Sequence, residues 1–127
     1  MPEQHQGFVP GQHGIDAYGS GGFTFAGMSH RGSILALPTG VHAFAATRFD
    51  EITAEALAPL LALPKGQVEI LLVGTGPDLV PLPEALRARL RAAGIRSDPM
   101  ATGAAARTYN VLLGEGRRVA AALVAVG

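Results

Sequence analysis

The chain has 127 residues, 48% of them apolar, with ten Lys/Arg against ten Asp/Glu and no cysteine. That length suits one domain, and the apolar share can offset the ordering entropy of most of the chain. Balanced charge removes the electrostatic basis for a dedicated nucleic-acid binder, and the lack of cysteine excludes disulfides, thiol nucleophiles, iron–sulfur clusters and cysteine-based zinc sites. The balance conceals an asymmetry: residues 1–63 carry two Lys/Arg against five Asp/Glu, and residues 64–127 carry eight against five. No cationic-plus-apolar block opens the chain, and no apolar run nears the roughly 20 residues that span a bilayer. The expectation is a cytoplasmic protein without a membrane span.

Residues 1–14 are rich in Gly, Pro, Gln and His, with Phe8 and Val9 as their only sizeable apolar side chains after Met1. They read as a flexible arm, and residues 15–127 as a single globular domain. From Ile15 short β-type runs follow one another at 15–18, 22–25, 32–37 and 41–44, punctuated by Gly, Ser, Pro and Thr, which predicts a strand meander. Ile52, Leu57, Leu60, Leu61 and Leu63 then recur near helical spacing behind Thr53, a candidate N-cap, with Pro59 set to shorten or bend the helix. Val68 to Val73 is a continuous apolar run of the kind that forms a buried central strand.

Pro83 suits the first position of a helix that buries Leu86 and Leu90 and stops at Gly94. A brief strand over 95–98 leads to a second helix over 103–113, starting from Thr102 and burying Tyr109, Leu112 and Leu113. After the turn at Gly114–Gly116, residues 118–126 form an alanine-rich strand that invites close packing of a helix layer. The pattern as a whole is α/β with α+β character: a mixed sheet, an N-terminal meander and about three helices.

Gly74-Thr75-Gly76, at the exit of the central strand, would let backbone N–H groups approach an anion. It is no nucleotide fingerprint, since there is no Gly-x-Gly-x-x-Gly and no Gly-Lys-Ser/Thr, and Pro77 removes a donor. The bland reading is a tight strand exit. Asp78 is a candidate metal ligand or base, or simply a turn former.

Thr102, Gly103, Arg107, Thr108, Tyr109 and Asn110 form the densest polar cluster. Arg107 and Asn110 fall on adjacent helical turns, where they would either meet the glycine loop around a small anionic or carbonyl group or satisfy strand-end carbonyls. His5, His13, His30 and His42 lack metal-site spacing, so no metal is expected. Ser20, Ser29 and Ser33 lack a nucleophile-elbow context, and nothing implies a cofactor. Arg87, Arg89 and Arg91 make a basic helix face that is usually solvated, and the scarce aromatics read as core rather than as a base-stacking platform.

Val73-Gly74-Thr75-Gly76, Ala93-Gly94-Ile95, the block Thr102 to Asn110 and Glu115-Gly116-Arg117 followed by an alanine-rich strand resemble one family. It is the small domain-of-unknown-function family (498/598) that includes the third assembly factor of mitochondrial respiratory complex I. Gly21-Gly22-Phe23 and Leu37-Pro38 extend the resemblance, which runs from Ile15 to the C-terminus. It implies a three-layer arrangement and, for the mitochondrial relative, a non-enzymatic role in building complex I. The motif positions it carries over are Gly74, Thr75, Gly76, Arg107, Asn110 and Glu115. With no paired acid, base or nucleophile, the expectation is a protein-interaction or assembly factor with a protein partner, and the rival is a binder of a small molecule or anion, or an enzyme acting on one, that uses the glycine loop with Arg107 and Asn110.

Overall fold

The computed structural model describes residues 7–127, so the part of the expected arm at residues 1–6 lies outside the described residues. In chain order the elements are β1 (Phe8–Pro10), β2 (Ala17–Gly19), β3 (Gly22–Phe25), β4 (Met28–Arg31), β5 (Ser33–Leu37), β6 (Gly40–Phe44), α1 (Ala58–Leu61), β7 (Ile70–Gly74), α2 (Glu84–Ala92), β8 (Arg96–Met100), α3 (Thr102–Gly114) and β9 (Val119–Leu123). Six strands form one mixed sheet in the order β1-β6-β5-β9-β7-β8, and β2-β3-β4 form a second, three-stranded sheet. β7 is parallel to β8 and β9, while β5 pairs antiparallel with both β6 and β9.

Period-two alternation divides the core into two halves. Leu35, Leu37, Leu71, Val73, Ala120 and Ala122 face Leu57 and Leu60 at α1 and Leu86 and Leu90 of α2. Ile34, Ala36, Ile70, Leu72, Ala121 and Leu123 face Ala105, Ala106 and Tyr109 of α3, together with Phe23 and Phe25 of the small sheet. The six-stranded sheet is thus the middle of three layers, and strands buried on both faces read as continuous apolar runs. Ala121 helps give α3 its close seat on the sheet.

Most elements sit where local chemistry places them. α2 ends at Gly94, whose φ is +81°, with Ile95 N–H donating to Leu90 C=O at 2.9 Å, the glycine-terminated stop expected of that position. Pro83 stands one residue before the helix rather than inside it.

Three expectations need correction. The helix after Thr53 is only a turn and the four-residue α1: Thr53 Oγ1 accepts from Ala56 N–H at 3.1 Å, and Pro59 sits in the first turn, where its missing donor costs nothing. β4 lies outside the runs that pattern alone marks as strands, because Met28-Ser29-His30-Arg31 lacks apolar alternation. Its pairing with β3 follows from the two-residue turn Ala26-Gly27, both at positive φ, the backbone shape that matches strand twist. Finally, part of the expected arm is structured. β1 pairs with β6, Val9 is buried, and the Phe8 ring packs against His42 with centroids 4.6 Å apart. A segment too poor to form a layer alone can still close an open sheet edge.

The outer edges share one feature. On β8, Arg96 N–H donates to Glu69 C=O and Met100 C=O accepts from Thr75 N–H, both at 2.9 Å, which leaves Ser97 and Pro99 facing outward. On β1, Gly7 C=O and Gly11 N–H bond inward, which leaves Phe8 and Pro10 facing outward. A proline therefore stands at an outward position on each edge.

Candidate functional site

The loops after β7 and β8 meet at the carboxyl ends of the parallel strands. The chain leaves β7 for α2 on one face and leaves β8 for α3 on the other, so this is the switch point where open α/β sheets form their crevices. Here two buried threonines close that crevice. Thr102 Oγ1 donates to Val124 C=O at 2.7 Å and accepts from Gly76 N–H at 3.0 Å. Thr75 Oγ1 lies 2.6 Å from Asp78 C=O and 3.0 Å from Met100 C=O, and accepts from Val80 N–H at 3.0 Å. Thr75 N–H is given to Met100 C=O and Gly76 C=O receives Thr102 N–H. The glycine loop thus spends its Thr75 and Gly76 donors on the protein. Gly74 is glycine because a Cβ there would come within 2.9 Å of the Thr102 Cα, so the residue seats α3 directly on the strand end.

Thr102 is accordingly the first residue of α3 rather than its cap, and Ala101 occupies the cap position without a side-chain bond. Thr102, Ala105, Ala106 and Tyr109 make the buried stripe of the helix; Leu112 and Leu113 are only partly buried. From the same helix Asn110 grips one residue in both directions: its Oδ1 accepts Ile15 N–H at 2.8 Å and its Nδ2 donates to Ile15 C=O at 2.7 Å. Tyr109 Oη donates to His13 C=O at 3.1 Å, and burial pushes its pKa up to about 12. These two side chains hold residues 13–15 against α3. Asn110 therefore does not turn toward the glycine loop.

Arg107 does remain on that side. It is exposed, and its Nη1 donates to Tyr18 Oη at 3.2 Å. Tyr18 is a site residue the sequence did not single out; Gly103 carries the trace of it. Glycine near a helix start costs propensity, yet a Cβ at Gly103 would collide with the Tyr18 hydroxyl.

A groove of about 520 Å³ runs between Tyr18, Gly76–Pro77, Gly103–Ala104, Arg107 and residues 125–127. A second, of about 440 Å³, continues past the Tyr18–Arg107 pair along Asp16, Ala106 and Asn110. A third, of about 250 Å³, lies on the other side of Gly76–Pro77, between Arg48, Phe49 and Asp78. Asp78 and Glu115 are both exposed, and neither side chain hydrogen-bonds another among the described residues. The structure thus gathers Gly76, Arg107 and, across the loop, Asp78 on one rim, turns Asn110 to Ile15, and leaves Glu115 at the far end of α3.

The remaining candidates resolve into local roles. His13 and His30 bond to the carbonyls of Pro10 and Ser33 at 2.9 and 3.0 Å, and burial lowers the pKa of His42. His5 lies outside the described residues. Ser33 Oγ accepts Ala125 N–H at 2.9 Å, tying β5 to the strand-end segment. Among the described residues no three His, Asp or Glu side chains cluster as metal ligands would. No helix among them is long and apolar enough to cross a membrane.

The family model for proteins of unknown function DUF498/DUF598 matches residues 15–124. The chain belongs to this family. Among DUF498/DUF598 relatives, an uncharacterized protein of Rhodobacter capsulatus is 48% identical over 127 residues, covering 98% of this chain and 93% of that one. The mouse NADH dehydrogenase [ubiquinone] 1 alpha subcomplex assembly factor 3 is 36% identical over 111 residues; they cover 87% of this chain and 59% of the factor's length. A crystal structure described as an outer membrane protein from Bartonella henselae superposes with a TM-score of 0.88 at 52% identity, covering 93% of this chain and 98% of that one.

Proposed function

We propose that this DUF498/DUF598 protein is a non-enzymatic interaction or assembly module of the cytoplasm, working through the rim at the carboxyl ends of β7, β8 and β9. One observation carries the reading: among the described residues, the exposed large apolar side chains other than Phe8, which stands on the β1 edge, lie on or near shallow, open grooves. Tyr18 and Phe49 line these grooves, Leu79 lies in the loop that borders one of them, and Val111 stands one turn beyond Arg107 on α3. Surfaces of this shape suit macromolecules, whereas small-molecule sites enclose their ligands. The kinship with an assembly factor supports the same reading, and a role in building a respiratory complex is part of the proposal. Arginine pairing weakens the case for a nucleic-acid partner: Glu84 holds Arg87 and Arg91, and Glu69 holds Arg117 and Arg118, which lowers the net positive charge of the two densest basic stretches.

A second reading, binding of a small anion or carbonyl compound, is supported by Gly76 and Arg107 lining one groove. Affinity capture from native lysate separates the two, with the wild type run beside a folded Tyr18→Ala, Arg107→Ala, Val111→Ala variant. A stoichiometric partner kept by the wild type and lost by the variant is the expected result. Recovery of nothing by either form, with inorganic phosphate shifting the Gly103 and Arg107 resonances, would transfer the assignment to the anion site.

A further inference from the structure

We propose that the Tyr18–Arg107 pair reads a carboxylate side chain in an extended acidic segment of a partner protein, laid along the two grooves that meet at this pair. The proposal rests on the interaction reading above and names the chemistry of the partner.

The first argument is charge. Arg48, Arg87, Arg91, Arg96, Arg117 and Arg118 each have a carboxylate partner within the protein. Among the described residues Arg31, Lys65, Arg89 and Arg107 do not, and of these four Arg107 is the one that a second described side chain braces. That brace leaves most guanidinium N–H groups available. Tyr18 Oη accepts from Arg107, so its own proton remains free to donate. A guanidinium beside a phenol thus offers a prepositioned donor pair, the arrangement that one carboxylate satisfies with both oxygens.

The second argument is shape. The 520 Å³ and 440 Å³ grooves lie on opposite sides of the pair and share Tyr18 and Arg107. A small molecule would fill one; a chain can run through both. Their walls are apolar or small: Pro77, Ala101, Gly103, Ala104 and Ala125 in the first, Ala17 and Ala106 in the second. Val111, 59% exposed and one turn beyond Arg107, adds an apolar anchor at the helix surface.

The third argument is polarity. Asp16 lines the second groove and is exposed, so it repels a further acid there and favours a neutral or basic neighbour. The recognised pattern is therefore one Asp or Glu at Arg107, flanked by small apolar residues, with no second acid toward Asp16. A nucleic-acid strand, with its unbroken row of phosphates, fits a site of one cation and one carboxylate poorly.

Selection of a random displayed peptide library on the intact protein tests this, with Arg107→Glu selected in parallel and Tyr18→Phe used for affinity measurement. Arg107 is exposed in mid-helix, so the Glu variant keeps the fold, checked by an unchanged melting curve. The wild type is expected to enrich peptides bearing a single Asp or Glu. Their affinity should fall by about tenfold or more in Arg107→Glu and by less in Tyr18→Phe, and Arg107→Glu should itself enrich Lys- or Arg-bearing peptides. Enriched peptides without an acid, equal binding by Arg107→Glu, or no enrichment by the wild type would each overturn the proposal. If any of these occurred while the native partner of the capture experiment was still recovered, the interaction reading would survive and the carboxylate-reading site alone would fall.

Discussion

Thr102 shows how one hydroxyl can join three elements. It is fully buried at the start of α3, gives its proton to Val124 beyond β9, and receives one from Gly76 beyond β7. Replacing it by valine keeps the volume but strands two buried backbone groups, each costing about 1–3 kcal/mol when left unsatisfied. Thr102→Val is therefore expected to lower stability by several kcal/mol, read as the shift of a urea midpoint at constant slope, while Thr102→Ser recovers most of the loss. A midpoint unchanged in Thr102→Val would mean that Gly76 and Val124 find other partners. The sequence marked Thr102, Gly103, Arg107 and Asn110 as a polar cluster, because polar residues on an otherwise apolar helix stand out. It could not show that Asn110 looks to Ile15, since a side chain's partner 95 positions away is set by tertiary packing. Nor could it show Tyr18 beside Arg107, for the same reason.

Elements were legible where apolar period and punctuation agree, as in β7, α2, α3 and β9, and illegible where pairing alone makes the strand, as in β4 and β1. The stretch from Ile52 to Leu63 misled because its leucines fall at helical spacing while Leu57 and Leu60 are buried from a turn and the short α1. Edge strands carry a further message that pattern reading passes over. Pro10 and Pro99 stand at outward positions of β1 and β8, where a neighbouring chain would seek an N–H donor. Edges so blunted resist strand addition, and partners must engage side chains instead. Pro10→Ala with Pro99→Ala restores both donors. The doubly substituted protein should stay folded but self-associate more readily, seen as larger species in light scattering at concentrations where the wild type is dispersed. Identical scattering from the two would show that the charged side chains of β8, Arg96 and Asp98, suffice as guards.

At the scale of the molecule, stability should depend on pH through Tyr109, which lies on the buried face of α3 with its pKa raised from 10.0 to about 12. The neutral phenol is favoured in the folded state. Its contribution is complete below the unfolded value near 10 and is lost as pH rises through 12, at about 1.4 kcal/mol per pH unit across that interval. Chemical denaturation between pH 9 and about 12 should show this slope, and Tyr109→Phe should flatten it. The order of the main sheet has a different consequence, one of timing. β9 follows the other described strands in sequence, yet it lies between β5 and β7, so among the described residues the antiparallel half and the parallel half are joined as neighbouring strands of the main sheet through it. While a ribosome is still making the chain, both halves must wait with an unpaired edge for a strand not yet synthesised. Sheet closure is a late, long-range event, and the nascent chain is exposed to misassociation until Val119–Leu123 emerge.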